Sequence, residues 1–356
     1  MNIIASAQMG PGTFEAKFIP LSRLEKIENI YVLRKKAGPE INKVHYIVLP
    51  KLCRYGWANL IIAPVLLLFY AIKYRAGLIL SYHVIPHSFF AYFASAISGI
   101  PFSISQTGLL IQRYSEKKVI GRVILHIFKK ALYVNVPGTS SMQHWIRKGI
   151  DPSKIRILHS TISTQQFSNT NSPKKYDFIF MGRLAPEKNI ELILKSFNNL
   201  KKTGYSPSLV IVGDGPEQKT LKEFVILNRL DKDVTFAGFQ SDVAYWLNMA
   251  EIFVMASVTE AMPTALMQAM ACELVCISSD IGNISDIITH SQNGFLFESD
   301  NLSELTTLMG STLQKKGNYD QLRKNARQTV ISNHSHSSAI DKWNDRLNTL
   351  PVLKGF

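Results

Sequence analysis

Two cations stand five residues apart in Gly182-Arg183-Leu184-Ala185-Pro186-Glu187-Lys188-Asn189, on a loop between an apolar run ending at Met181 and an amphipathic run at 190–200. A guanidinium fork and an ammonium so placed can converge on a diphosphate and take up its charge as it leaves. The same two side chains also read as solvated surface charges beside an acid. Further on, Glu260 sits in a loop before Pro263, and Gln268 lies about two turns into the helical run that follows, on the face looking back at that loop. Backbone N–H groups near Met262-Pro263-Thr264-Ala265 face the same space. A core helix explains Leu266, Met267, Ala269 and Met270, but neither a carboxylate before the proline nor a glutamine on that face. Together these groups suit a ligand that carries both hydroxyls and phosphate.

Two glycine turns accompany them. Gly213-Asp214-Gly215-Pro216 closes the buried run 210–212 with a proline at a helix start, so turn chemistry is its first cause and closeness to a ligand its second. Gly10-Pro11-Gly12 follows the first apolar run and reads equally as a phosphate cradle or a tight turn. Of the histidines, His83 and His87 are separated by Pro86 and read as one loop-facing and one packed ring. Cys53, Cys272 and Cys276 lack zinc spacing and read as buried thiols, so no metal site is expected.

The elements that must position these residues alternate. Short β-branched or apolar runs at 2–6, 30–33, 45–49, 78–82, 102–105, 132–136 and 155–158 are separated by helical stretches at 57–74, 87–98, 116–131 and 139–148. The polar stretch 163–175 breaks the pattern and is expected as the linker. Strands then recur at 176–181, 208–212, 234–237, 252–256, 275–278 and 294–297, and the chain closes with helices at 302–314, 320–332 and 337–350. Such alternation specifies parallel sheets covered by helices, with ligands outside the carboxyl ends of the strands. The expected layout is a first domain over 1–165, a second over 175–335, and a terminal helix over 336–356 packing back on the first.

Charge separates the halves. Residues 1–170 carry 21 Lys+Arg against 6 Asp+Glu, whereas residues 171–356 carry 19 against 20. The basic excess belongs to the first half and calls for an anionic partner such as phospholipid, nucleic acid or a phosphorylated substrate. The first ten residues hold no cation ahead of an apolar stretch, which points to a cytoplasmic protein. The apolar window 58–72 contains Pro64 and falls short of the ~20 residues a bilayer span needs, so a buried or interfacial helix fits it.

Residues 176–297 resemble the donor-binding domain of glycosyltransferase family 4, the retaining nucleotide-sugar transferases of GT-B fold. The likeness rests on five motifs in order: Gly-Arg-Leu-x-x-x-Lys from Gly182, Gly-Asp-Gly-Pro from Gly213, Gly238-Phe239, Glu-x-x-Pro from Glu260, and Ser279-Asp280-Ile281-Gly282. It implies an α/β protein of GT-B type, two Rossmann-like parallel-sheet domains facing a cleft. It implies that Arg183 and Lys188 bind the donor diphosphate, that Glu260 contacts the transferred sugar, and that Phe239 and Gln240 line the base. Met262, Pro263, Thr264 and Ala265 would offer backbone to sugar and phosphate, with Gly12, Gly182 and Gly213 completing the donor site. The family's second Glu, a ribose ligand, is Gln268 here, and the Gly after its first Glu is Ala261. The likeness is looser in the first half, where Gly10, His83, Thr107 and Gly108 are the acceptor-side candidates. A histidine common before that last glycine is replaced by Thr107.

The chemistry this implies is transfer of a sugar with retained anomeric configuration and no metal, catalysed by Glu260, Arg183 and Lys188. A UDP-sugar is expected ahead of a GDP-sugar as donor, with no separate cofactor. For the acceptor, the stretch 116–131 sets Ile120, Val123, Ile124, Ile127, Phe128 and Ala131 on one face and Lys118, Arg122, His126 and Lys129 on another. That pattern is either an ordinary surface helix or one lying on an anionic membrane. With the basic first half it suggests a glycan or lipid-linked acceptor at the inner membrane face, in cell-surface polysaccharide or glycoconjugate synthesis. The rival readings are a GT-B protein that binds donor without efficient transfer and a basic nucleic-acid- or membrane-binding protein. The chain has no interleaved aromatic and basic platform of the kind nucleic acid requires.

Overall fold

A computed structural model describes the chain except residues 52, 53, 55, 84 and 349–356. Cys53 and the last two residues of the helix expected at 337–350 therefore lie outside the described residues. The chain divides into two compact units, one formed by Met1–Thr161 with the chain from His336 onward, the other by Ile162–Ser335.

The first unit holds β1 (Asn2–Ser6), β2 (Ile30–Arg34), β3 (Val44–Val48), β4 (Ala76–Tyr82), β5 (Phe102–Ser105), β6 (Tyr133–Val136) and β7 (Ile155–Ile157). They form one sheet in the order β3-β2-β1-β4-β5-β6-β7, parallel at every pairing. Parallel neighbours need crossovers, and helices supply them: α1 (Pro11–Ser22), α2 (Gly56–Lys73), α3 (His87–Ser98), α4 (Leu110–Ser115), α5 (Lys118–Lys130) and α6 (Thr139–Arg147). Because successive side chains on a strand point to opposite faces, the sheet feeds two cores. Ile4, Leu33, Ile79 and Ile104 meet α2, α3 and α5 on one face, while Ile3, Val32, Leu78 and Leu80 meet α1 on the other.

The second face is closed by the chain's last described helix, α13 (His336–Asn348), whose Trp343 and Leu347 join Phe14 and Phe18 of α1. Trp343 is buried, and the Arg346 guanidinium lies 5.1 Å from its ring centre. The chain thus returns to the first unit after building the second.

The helix expected over 116–131 runs over 118–130 as α5, and a separate short helix, α4, precedes it. Lys117 is extended between α4 and α5, and a side chain at Gly121 would press to 2.4 Å from the Ser115 carbonyl oxygen, so the glycine lets the two helices meet. Ile124, Ile127 and Phe128 of α5 are core, whereas Val123, read from the pattern as a companion on the same face, is exposed.

The second unit repeats the plan with β8 (Tyr176–Met181), β9 (Leu209–Val212), β10 (Val234–Gly238), β11 (Ala250–Met255), β12 (Val275–Ser279) and β13 (Phe295–Phe297). Their order is β10-β9-β8-β11-β12-β13, again all parallel, and it reverses direction between β8 and β11 as a doubly wound sheet must. On one face lie α7 (Ile190–Lys202), α8 (Gln218–Leu227) and α11 (Leu302–Gln314); on the other lie α9 (Val243–Asn248), α10 (Thr264–Ala271) and α12 (Asp320–His334). Cys272 and Cys276 are buried in the latter core, and burial pushes the Cys272 thiol up to about 12, so it behaves as an apolar side chain.

The polar stretch 163–175 belongs to this unit rather than bridging the two. Phe167 is buried in its core, Thr170 N donates to Asn248 Oδ1 at 2.9 Å, and Lys175 N donates to the Met249 carbonyl at 2.8 Å. Its polar residues satisfy the end of a sheet, which composition alone cannot distinguish from a tether.

Removing the Trp343 ring leaves a cavity between α13 and α1. Trp343→Ala is expected to cost the first unit about 3–5 kcal/mol, read as a lowered urea midpoint for that unit with the second unit's transition unmoved.

Candidate nucleotide-sugar site

In the second unit the loops after β8, β9 and β10 converge with the start of α10 around a cavity of 690 Å³. It is lined by Met181, Gly182, Arg183, Val212, Gly213, Asp214, Gly215, Phe239, Gln240, Val243, Thr264, Ala265 and Gln268. The volume lies in the range of small-molecule sites, and the position is where an open parallel sheet binds its ligand.

Glycines make the convergence possible. Gly182 and Gly213 have φ of +154° and +142°, and a Cβ on Gly213 would lie 1.8 Å from the Gly182 carbonyl oxygen. At Gly215 it would lie 2.3 Å from the Leu184 carbonyl oxygen. The two loops touch backbone to backbone, sealed by Gly182 N donating to the Val212 carbonyl at 3.0 Å and Leu184 N to the Asp214 carbonyl at 2.9 Å. Turn chemistry, the first cause assigned to Gly213 from sequence, is therefore secondary to this close approach.

Eight of the residues expected at the donor site line this cavity: Gly182, Arg183, Gly213, Phe239, Gln240, Thr264, Ala265 and Gln268. Phe239 is 79% exposed, a free aromatic face at the rim, and Gln240 is steadied by its Nε2 donating to the Ala237 carbonyl at 2.8 Å. Asp214 and Val243 line it too. Val243 follows Asp242, which caps α9 by accepting from Tyr245 N at 3.0 Å, and that capping pattern is the signal that could have placed it.

Glu260 and Lys188 are outside the cavity lining but are paired with each other: Lys188 Nζ donates to Glu260 Oε1, and both side chains are largely buried. Ser257 Oγ donates to the same carboxylate oxygen at 3.2 Å. The loop that carries Glu260 is held at several points, with Val258 N donating to the Glu187 carbonyl at 2.9 Å, Ser279 Oγ to the Ser257 carbonyl at 2.6 Å, and Asn283 Nδ2 to the Ala261 carbonyl at 2.8 Å. Sequence reasoning did not single out Ser257 or Asn283, because neither lies within the quoted motifs. Met262 is buried and Pro263 is the residue before α10, so both shape the turn rather than face the cavity.

The acceptor-side candidates fall in the first unit. His83 Nδ1 and Thr107 Oγ1 are 2.7 Å apart, and with Gly108 they line a 100 Å³ pocket. His83 also lines a second cavity of 320 Å³ at the carboxyl ends of β1, β2 and β4, with Ser6, Gln8, Lys35 and His87 among its walls. The Thr107 hydroxyl thus holds the His83 ring in place. His83 is itself held at φ +64°, a strained backbone for a non-glycine residue. His87 Nδ1 meets Ser6 Oγ at 2.7 Å, so both rings are hydrogen-bonded and the loop-facing and packed roles are not cleanly divided between them. Gly10 and Gly12 stand at the start of α1 with open space around them, and neither lines these cavities. Among the described residues no group of three or more His, Cys, Asp and Glu is placed to hold a metal ion.

Comparison with known proteins agrees with this geometry. Residues 161–329 match the family described as glycosyl transferases group 1, so the second unit carries the sequence signature of that domain. The UDP-Gal:alpha-D-GlcNAc-diphosphoundecaprenol alpha-1,3-galactosyltransferase of Escherichia coli is 26% identical over 221 residues, which cover 58% of this chain and 57% of that protein. The N-acetyl-alpha-D-glucosaminyl L-malate synthase of Bacillus anthracis is 26% identical over 263 residues, 65% of this chain and 69% of its own. The crystal structure of Anabaena HepE in complex with UDP superposes with a TM-score of 0.82 over 98% of this chain and 100% of that one, at 15% identity. The two parallel-sheet Rossmann-like units are thus of the GT-B class.

The first-unit histidines give the fold an acid sensitivity. Burial, then the nearby His83 and Lys35, pulls His87 down to about 3, and burial lowers His83 as well. Folding therefore selects the neutral rings. Above about pH 6.5 both states are neutral and nothing changes; as pH falls toward 3 the unfolded chain takes up protons that the native state refuses, and stability is lost. The urea midpoint of the first unit is expected to fall steadily below pH 6.5, reflecting a stability loss of up to about 1.4 kcal/mol per pH unit from the His87 ring, and His87→Gln should flatten that slope.

Proposed function

We propose that the protein is a retaining glycosyltransferase of family 4 type, transferring a sugar from a nucleotide-sugar donor, a UDP-sugar first, to a glycan or lipid-linked acceptor. The observation that carries this reading is the 690 Å³ cavity, where Arg183, Gln268 and the exposed Phe239 ring meet across two glycine loops, beside the Lys188–Glu260 pair. Each group has a use. Phe239 offers a face for the base, Gln268 an amide for ribose hydroxyls, and the side-chain-free loops an approach for a diphosphate.

In the reaction, the acceptor oxygen bonds to the anomeric carbon on the face from which the nucleoside diphosphate leaves, as the bond from that carbon to the phosphate oxygen breaks and the hydroxyl proton passes to that departing oxygen. Arg183 and Lys188 take the charge that grows on the departing phosphate, the role a divalent ion fills in other enzymes, so the reaction needs no metal. Glu260 accepts from hydroxyls of the transferred sugar. Lys188 is shared between Glu260 and the phosphate, which places the sugar and the leaving group against one ion pair.

The acceptor class rests on the basic first half and on the named relatives. The Escherichia coli galactosyltransferase has UDP-Gal as its donor and a diphosphoundecaprenol compound as its acceptor by name, a sugar donor and a lipid-linked anion. An acceptor of that kind suits a basic domain on the cytoplasmic face of a membrane and a place in cell-surface polysaccharide or glycoconjugate synthesis.

Two measurements test the reading. In thermal-shift titrations with UDP, GDP and ADP, UDP is expected to stabilise the wild type and to lose that effect in Arg183→Ala; indifference of the wild type to all three would leave only the fold. Glu260→Gln is expected to keep the UDP shift while hydrolysis or transfer of the sugar drops by about 10²–10³. Full turnover in that variant would remove Glu260 from the chemistry.

A further inference from the structure

The helix α2 presents two contrasting faces. Ala63, Leu67 and Ala71 are essentially inaccessible and packed into the sheet, whereas Trp57, Ile61, Val65, Phe69 and Ile72 are between 51% and 82% exposed. These five are spaced four, four, four and three residues apart, so they form a single stripe along the outer side. Adjacent α3 adds exposed Phe93 and Ile97. A soluble surface rarely carries so many large apolar side chains together without a use for them.

The charges around the stripe identify what covers it. From Glu40 to Glu116 the intervening chain contains no Asp or Glu and six Lys or Arg. Lys51 and Arg54 precede the stripe and Lys73 and Arg75 follow it, and Lys51, Lys73 and Arg75 are exposed. The two ends of α2 are about 27 Å apart at the helical rise per residue, so cations bracket an apolar ridge. A second copy of the chain would set these cations against their own kind. An anionic lipid surface offers headgroups to the cations and acyl chains to the ridge, the two signals that stable interfacial binding requires.

We propose that the outer face of α2, flanked by α3, is the docking surface on which the protein lies against an anionic lipid bilayer, with the helix in the plane of the interface. The proposal deepens the membrane-side acceptor of the proposed function and rests on that reading for its purpose only. By length and composition α2 could cross a membrane. Crossing would pull Ala63, Leu67 and Ala71 out of the core. An in-plane position keeps the core intact and buries only what is already exposed. It also moves the contact from α5, whose apolar face is taken up by the core, to a helix whose apolar face is open.

The test is flotation of the full chain with vesicles of phosphatidylcholine alone and mixed with phosphatidylglycerol. The wild type is expected to float with the mixed vesicles, and Trp57→Ser/Ile61→Ser/Phe69→Ser to lose at least about tenfold in partitioning. An unchanged urea transition of the first unit, which carries α2, would show that the variant is folded. Equal flotation of the variant overturns the assignment of this face while leaving a membrane-side acceptor open. A wild type that ignores both vesicles overturns the docking itself, as does a wild type that only self-associates and reverts to a monomer in the variant. In both cases the UDP shift reports on the donor reading separately. If the triple variant fails to fold, Trp57 serves as the probe: its emission is expected to shift to the blue with mixed vesicles, an effect absent in Trp57→Phe. No shift in the wild type overturns the proposal.

Discussion

The architecture of the candidate site depends on one close approach, the backbone of Gly213 against the carbonyl of Gly182. No side chain fits in that space, since even a Cβ would sit 1.8 Å from the oxygen. Because the loops after β8 and β9 can touch, the ends of adjacent strands form one wall, and Arg183 projects from it instead of being held off by a neighbouring side chain. The same contact keeps the loop backbone at the cavity free of side chains at the glycines, which is what close approach of a phosphate requires. Gly215 against Leu184 repeats the device one step further along the loop. The opposite wall, from Thr264 to Gln268, comes from the far side of the point where strand order reverses. Three short loops and one helix start then suffice to build the cavity.

This explains how much was legible in the sequence. The parallel sheets were, because each strand is a short apolar run feeding two buried faces and each crossover is a helix with its own period; Ile252 and Phe253 alternate between the two cores as the pattern requires. The cavity residues were also legible where a motif fixes type or spacing, Arg183 by both and Gln268 by spacing alone. What escaped were relations between segments. Nothing local shows that Gly213 is a glycine because of Gly182, that Gly121 admits Ser115, or that the stretch at 163–175 caps a sheet. Nor does α2 declare from its composition which of its apolar residues the sheet leaves uncovered, since Leu67 and Phe69 are both simply hydrophobic until the packing partner is known. Ser257 and Asn283 belong to the same class, polar residues whose function is to hold another loop.

The charge asymmetry acquires a structural meaning in the same way. Counted along the chain, the first half is basic; placed on the fold, a long acid-free segment contains both the apolar ridge of α2 and part of the cavity walled by His83 and His87. Cations there are not balanced by neighbours in sequence. Burial keeps the two histidines from adding to that charge near neutral pH.

The Lys188–Glu260 pair shows how the donor reading couples binding to chemistry. A largely buried ion pair resists losing one partner, because the charge left behind is desolvated and uncompensated. A diphosphate that draws Lys188 away would by itself leave Glu260 unpaired apart from the Ser257 hydroxyl. A nucleotide sugar resolves this, since its phosphates replace Glu260 for the lysine while its sugar hydroxyls replace the lysine for the carboxylate. A nucleoside diphosphate alone satisfies only half of that exchange. On the proposed function, the pair thus favours a donor whose sugar is still attached over the product that remains after transfer, and the preference arises from two side chains that the free protein must keep together in any case.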